Sequence, residues 1–136
     1  MNAVDTNVLI YARDPRDAAK QRTAISLISA MPDGVLLWQV ACEYVAASRK
    51  LKKFGYDQTQ AIADLGDMRV AWKTVLPQWE NFDRAERLLR KYSLSFWDAM
   101  VIAACLEGGV TRLYSEDFGD FLRAEGLEVV NPFAVP

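Results

Sequence analysis

The sequence predicts an α/β domain built on a parallel sheet with helices on both faces. Short apolar runs alternate with stretches of helical character along the whole chain. Those runs are continuously apolar rather than alternating in polarity, as expected of strands buried on both faces. Turn-forming residues separate each strand from its helix, so successive strands are joined by helical crossovers. With 136 residues, a single domain over 1–136 is the natural partition.

The elements follow in order. A short strand at Ala3-Val4 turns through Asp5-Thr6-Asn7 into a brief helix over Val8-Leu9-Ile10-Tyr11-Ala12. Asp14-Pro15 ends that helix, because the residue before a proline resists the α region. Residues 17–31 carry apolar side chains at helical spacing and stop at Pro32-Asp33-Gly34. Val35-Leu36-Leu37-Trp38 is an apolar run of strand length. Gln39 to Phe54 predicts a helix with Gly55 at its end. Asp57 is positioned to cap the next one, which runs to Trp72. Thr74-Val75-Leu76 is a strand candidate, and Pro77 opens a helix to Tyr92. Ser95 to Glu107 is a helix closed by Gly108-Gly109. Arg112-Leu113-Tyr114 is a strand, Phe118 to Glu125 a short helix, and Glu128-Val129-Val130 a last strand. Internal repeats, low-complexity tracts and linkers are absent from the sequence. Folds of this kind bind ligands beyond the carboxyl ends of their strands.

Composition removes several function classes. Apolar residues make up 51% and charged residues 25%, which excludes a disordered chain. Sixteen basic against 18 acidic residues, a net charge of -2, exclude a broad basic coat for nucleic acid. Local basic patches remain compatible with that balance. The sequence has no histidine, which removes Ser-His-Asp triads, Cys-His dyads, histidine bases and His-ligated zinc together. Its two cysteines, Cys42 and Cys105, form no C-x-x-C and lie in apolar runs. They are expected as buried free thiols in a reducing cytosol, which implies a cytoplasmic protein. The N-terminus lacks a basic region ahead of its apolar stretch, so no signal peptide is expected. No apolar run reaches the roughly 18 residues of a membrane span.

Most of the acids sit in polar surroundings, and three do not. Asp5 is the only charged residue in 1–12, Glu43 the only one in 35–48, and Asp98 the only one in 96–106. The last segment, Phe96-Trp97-Asp98-Ala99-Met100-Val101-Ile102-Ala103-Ala104-Cys105-Leu106, is apolar nearly all round, so it predicts a buried helix. A buried lone carboxylate must protonate, pair or bind a metal. Each acid also has a structural reading. Asp5 could cap the helix starting at Thr6. Asp98 fits a capping box with Ser95. Glu43 falls about 60° from the Val40, Tyr44, Ala47, Leu51 stripe, at the border of its helix's buried face. A fourth acid, Asp117, directly follows a strand, with Glu116 and Asp120 competing for the same role. Converging carboxylates without histidine or paired cysteines suit a hard cation such as Mg²⁺ or Mn²⁺. Such an ion acidifies a bound water and stabilises charge in phosphodiester hydrolysis.

These residues resemble the PIN-domain family, and within it the VapC-type toxins of bacterial toxin–antitoxin pairs. Val4-Asp5-Thr6-Asn7-Val8-Leu9-Ile10-Tyr11-Ala12 resembles the first motif of the family, and Glu43 occupies the place of its second acid. Phe96-Trp97-Asp98-Ala99-Met100-Val101-Ile102-Ala103-Ala104 resembles the third motif and Tyr114-Ser115-Glu116-Asp117-Phe118 the fourth. Val129-Val130-Asn131-Pro132-Phe133 is similar to the closing segment of the group. The resemblance implies a five-stranded parallel sheet and a Mg²⁺- or Mn²⁺-dependent endoribonuclease. It also implies an RNA substrate, a homodimer and a cognate antitoxin. By position it implies metal binding by Asp5, Glu43, Asp98 and Asp117, with Thr6 and Ser115 lining the site. Gly119 is a departure, standing where the family often has a further acid.

Two basic clusters are candidates for holding RNA: Arg49, Lys50, Lys52 and Lys53, and Arg84, Arg87, Arg90 and Lys91. A solvated helix face is the expectation for each cluster. Trp38, Trp72, Trp79 and Trp97 could stack on bases, although core packing is the expectation for Trp38 and Trp97. The alternative to a nuclease is a non-catalytic PIN-like module that engages a basic partner peptide or RNA. A phosphotransfer domain fits poorly. An aspartyl-phosphate phosphatase needs an acid at position 7, which is Asn, and a receiver domain needs a pair where Asp5 stands alone.

Overall fold

The computed structural model describes residues 1–134. Five strands form one sheet: β1 (Asn2–Val4), β2 (Gly34–Leu37), β3 (Lys73–Val75), β4 (Arg112–Tyr114) and β5 (Glu128–Val130). Their order is β3-β2-β1-β4-β5, and every neighbouring pair is parallel. Six α-helices lie between them: α1 (Thr6–Tyr11), α2 (Ala18–Ser29), α3 (Trp38–Ser48), α4 (Gln58–Ala71), α5 (Trp79–Lys91) and α6 (Phe96–Glu107). Short 3₁₀ helices cover Arg49–Phe54 and Asp120–Glu125. The predicted fold class is therefore the observed one.

The strand order fixes where the helices go. The chain steps from β1 to β2 to β3 in one direction, then returns to β4 and β5 on the other side of β1. Parallel crossovers are nearly always right-handed, so the two directions place their helices on opposite faces. In keeping with this, α1 packs on α2 and α3, and α3 on α4, while α5 packs on α6. Every residue of β2 is buried, which accounts for its unbroken apolar run. Leu36, Leu37, Ile102 and Leu113 are among the most deeply buried large side chains of the core between the layers.

Local signals act largely as read. Asp57 accepts from the Gln60 N–H at 2.9 Å, and the Gln60 side chain accepts from the Asp57 N–H at 2.9 Å, a complete capping box. Gly55 stops the helical stretch in the left-handed region, at φ 84°. Several boundaries differ, with β3 one residue earlier than Thr74-Val75-Leu76 and the last short helix opening at Asp120 rather than Phe118. Trp38 begins α3 rather than ending β2, the stretch to Phe54 tightens to 3₁₀ after Ser48, and α5 starts at Trp79, capped at Gln78, rather than at Pro77.

Burial departs further from expectation. Trp38 and Trp97 are exposed, Trp97 at 64%, whereas Trp72 is the buried tryptophan and donates its indole N–H to the Met31 carbonyl at 2.8 Å. Cys105 is buried, and burial pushes its thiol pKa up, but Cys42 is exposed, contrary to the expectation of two buried thiols. The helix over 96–107 is not buried throughout, because Phe96, Trp97 and Asp98 are exposed and continuous burial begins at Ala99. Among the described residues, no helix is long and apolar enough to cross a membrane.

Candidate active site

Chain reversal across β1 creates the site. Strands β1 and β4 are neighbours whose outgoing chains diverge, the position at which a parallel α/β sheet opens a crevice. Their register pairs Val4 with Tyr114, so the next residues, Asp5 and Ser115, emerge side by side. The ladder continues one step past both strands: the Asp5 N–H donates to the Tyr114 carbonyl at 2.9 Å and the Ser115 N–H to the Val130 carbonyl at 3.0 Å.

Asp5 is 7% exposed, and both carboxylate oxygens are engaged. The Thr6 N–H donates to Oδ1 at 2.8 Å, so the capping reading of Asp5 is correct. The Ser115 hydroxyl donates to Oδ2 at 2.8 Å, which the capping reading does not supply. Burial pushes the Asp5 pKa above its ordinary value, opposed by those two hydrogen bonds and reinforced by the negative charges of Asp117 and Glu43. Two of the other acids singled out in the sequence, Asp117 and Glu43, thus bear on Asp5.

Each companion is joined through a hydroxyl or amide. Thr6 Oγ1 donates to Glu43 Oε2 at 3.0 Å, linking the start of α1 to the middle of α3. Glu43 is half-buried at the border of its helix's packed face, where Val40, Tyr44 and Leu51 are buried. Asn7 Nδ2 donates to Asp117 Oδ2 at 3.0 Å and to Ser115 Oγ at 3.3 Å, and the Asp117 N–H donates to Ser115 Oγ at 3.1 Å.

Asp98 is placed differently. It is exposed, and it is not the buried lone carboxylate that its apolar surroundings predict. The Ser95 hydroxyl accepts from the Asp98 N–H at 3.1 Å, which is half of a capping box. Among the described residues, the reciprocal bond from the Asp98 carboxylate is not made, which leaves that carboxylate open to solvent. Its helix end is tied to Glu43 by Gln39, whose amide donates to Glu43 Oε1 at 2.8 Å and to the Trp97 carbonyl at 3.0 Å. Sequence reading missed Gln39; its spacing of four residues from Glu43 on a helix was the available signal.

The rivals of Asp117 are occupied elsewhere. Tyr11 donates its hydroxyl to Glu116 Oε1 at 2.6 Å, and Lys20 Nζ lies 3.1 Å from Glu116 Oε2. The Glu116 bond is the first cause raising the Tyr11 pKa. Lys20 also sits 4.6 Å from the centroid of the Tyr11 ring, and Tyr11 meets Phe133 edge-on at 4.9 Å. Glu116 therefore latches its loop to α1 and α2 and turns away from Asp5. Asp120 is exposed and faces Arg123. Replacing Glu116 with Ala is expected to lower any metal-dependent activity about 10-fold by loosening the Ser115–Asp117 segment. Its unfolding midpoint in urea should stay close to wild type; a collapse of stability would make the latch a folding element instead.

The residues fit a hard divalent cation by donor chemistry. The carboxylates of Asp5, Glu43 and Asp117 and the hydroxyls of Thr6 and Ser115 are hard oxygen donors, the donor type of Mg²⁺ and Mn²⁺. Asn7 Oδ1 adds a specific observation, being buried with no hydrogen-bond partner among the described residues. Its amide cannot be reversed without turning oxygen toward the Asp117 carboxylate, so an acceptor remains unsatisfied on the amide that binds Ser115 and Asp117. Among the described residues no three acids stand close enough to enclose one ion.

Comparison with known proteins completes this description. Residues 3–127 match the family described as PIN domain. The comparison with curated proteins found no match. Among solved structures, the chain is similar to VapC20 of Mycobacterium tuberculosis, a sarcin–ricin loop cleaving toxin, with TM-score 0.69, 19% identity, and coverage of 93% of this chain and 96% of that one. It is similar to a chain of a toxin–antitoxin complex from Klebsiella pneumoniae, with TM-score 0.72, 20% identity, and coverage of 99% and 100%. It is also similar to a chain of VapBC2 from Rickettsia felis bound to a DNA fragment from their promoter, with TM-score 0.66, 14% identity, and coverage of 96% and 97%. At these identities the likeness is one of fold.

Proposed function

The chain belongs to the PIN-domain family, and on that premise we propose that it is a Mg²⁺- or Mn²⁺-dependent endoribonuclease, the toxin of a toxin–antitoxin pair. The observation that carries this reading is the hydrogen-bond network at the switch point of the sheet, which joins Asp5 through Ser115 and Asn7 to Asp117, and through its neighbour Thr6 to Glu43. Asp5, Glu43, Asp98 and Asp117 would hold the ion, with Thr6 and Ser115 lining the site. When bound, the ion supplies a Lewis acid and an acidified water for attack on a phosphodiester. The remaining work falls to the chain. Ser115 and the Thr6 N–H hold both oxygens of Asp5 in place, Thr6 and Gln39 orient Glu43, and Asn7 orients Asp117. These groups keep carboxylates of like charge together in a partly buried crevice, at a cost that a cation offsets.

The similarity to a toxin and to toxin–antitoxin complexes supports a cognate antitoxin as partner. We extend the proposal to a cytoplasmic homodimer in which each 136-residue chain acts as one nuclease domain. RNA cleavage should require Mg²⁺ or Mn²⁺, stop with EDTA, and fall in Glu43→Gln and Asp98→Asn. Cleavage that survives chelation and both substitutions would rule the reading out. The alternative, a non-catalytic module binding a basic peptide or RNA, draws on the absence, among the described residues, of three acids closing on one ion. A calorimetric titration with no Mg²⁺ or Mn²⁺ binding would favour it.

A further inference from the structure

Two basic clusters stand out in the sequence, and the fold treats them differently. On α5, Arg84 pairs with Glu107, Arg90 with Glu86 and Lys91 with Glu125, so most of that charge is neutralised within the chain. Arg49, Lys50, Lys52 and Lys53 have no carboxylate within ion-pair distance among the described residues, and all four are exposed. Tertiary structure brings a fifth cation to them. Arg16, from the loop between α1 and α2, joins these residues around one open depression of about 750 Å³.

The cluster is organised rather than a set of loose side chains. Arg16 is held by Asp14 through Nε at 2.9 Å and a terminal nitrogen at 2.6 Å. Its guanidinium lies 5.4 Å from the centroid of the Phe54 ring, and Lys53 Nζ lies 5.2 Å from the same ring. Cations at a helix C-terminus are favoured by the helix dipole, which explains part of the cluster. That dipole is equivalent to about half a charge, and Asp14 offsets Arg16 and part of the charge of Lys53. Arg49, Lys50, Lys52 and Lys53 keep an excess that only an outside anion can neutralise.

Placement identifies the anion. The cluster continues the helix that carries Glu43, and Arg49 lies six residues further on, about 9 Å along the axis. Arg16 follows the helix that begins at Asp5 and Thr6. Both segments that leave the candidate site therefore converge on the cluster, at a distance a few nucleotides bridge. We propose that Arg16, Arg49, Lys50, Lys52 and Lys53 form a phosphate-binding tract that grips the backbone of single-stranded RNA next to the candidate active site. The identity of the polyanion rests on the ribonuclease reading; the uncompensated charge does not.

The test is binding of a labelled single-stranded oligoribonucleotide to the full-length protein in EDTA, followed by fluorescence anisotropy across a salt series. Each phosphate contact to a single strand contributes about 0.7 to the slope of log affinity against log salt. Arg49→Gln/Lys50→Gln/Lys53→Gln should lower that slope by about 2 and weaken binding at low salt about tenfold or more. Arg84→Gln/Arg87→Gln should leave the slope unchanged. Unaltered circular dichroism and Mn²⁺ affinity in the triple variant would separate the effect from misfolding and from the metal site. A slope unchanged in the triple variant overturns the tract and leaves the nuclease reading standing. Wild-type protein that binds no RNA at low salt overturns the tract, while metal-dependent cleavage, scored separately, decides the nuclease reading. An acidic peptide whose binding is lost in the triple variant while the RNA slope is kept would reassign the cluster to a protein partner and overturn the proposal.

Discussion

Asp5→Asn is expected to abolish metal-dependent RNA cleavage, by about 100-fold or more, while stabilising the metal-free fold. Replacing an outer partner of a metal ligand already costs about 10- to 100-fold, so loss of a buried ligand should cost at least the upper figure. Stability should move the other way. Burial raises the Asp5 pKa, so in the folded state the ionised carboxylate is disfavoured relative to the unfolded chain. The folded state consequently holds a proton that the unfolded state releases, over the interval from the model-compound value of 3.8 up to the raised folded value. Stability from this group is greatest below that interval and is lost as pH rises through it. Above that interval wild type carries the penalty of the buried charge and Asp5→Asn carries none. A stability difference in favour of Asn is therefore expected in chelator.

That difference should shrink as pH falls toward the unfolded value. Thermal or urea unfolding of both proteins from pH 7 downward measures it. Mn²⁺ at about 100 times its dissociation constant should then stabilise wild type by about 2.7 kcal/mol and leave the variant nearly unchanged. A variant less stable than wild type in chelator would mean that the bonds from Ser115 and Thr6 outweigh the burial of the charge.

Gly34→Ala should be the most damaging single-methyl change in the core. A Cβ at Gly34 would lie 2.4 Å from Trp72 Cε2 and 2.5 Å from Cδ2. The indole cannot swing aside freely, because it is buried and its N–H is bonded to the Met31 carbonyl. Overpacking of this kind costs about 1–3 kcal/mol, and stranding the buried N–H would add about 1–3 kcal/mol. Against a typical domain stability of about 5–15 kcal/mol, that is a large fraction, read as a shift in the urea midpoint. Trp72→Phe in the same background should recover part of the loss, because a smaller ring clears the new methyl. Additive losses in the double variant would place the strain elsewhere.

Gly34 also shows how far a sequence can be read. In sequence it belongs to a Pro32-Asp33-Gly34 break, and it does stand at the start of a strand. Its backbone needs no left-handed conformation, however; glycine is required because a tryptophan from the far end of α4 lies flat against it. The two residues are 38 positions apart, and no local pattern links them. The tryptophans illustrate the same limit. Core packing is the expectation for Trp38 and Trp97, yet Trp72 is the one buried, against Gly34 of β2, while Trp38 and Trp97 stand exposed in the first turns of α3 and α6.

What could be read directly depends on neighbours in the chain. Strand and helix periodicity, the Asp57–Gln60 box and the Gly55 stop are set within a few residues, so the α/β class and the order of elements are legible without coordinates. Asp5, Glu43 and Asp117 could be singled out because each sits at a strand end or on a helix border, positions that periodicity defines. Their convergence could not, because it follows from the chain's return past β1, which makes Ser115 a partner of Asp5 across 110 positions. For the same reason, folding separated the two basic clusters, which look alike in sequence. Glu107 and Glu125 from remote segments, with Glu86 on the same helix, neutralise one and leave the other charged, and Asp98 is exposed at the start of α6. Burial and charge pairing are sums over long-range contacts, and those contacts exist only once the layers have closed.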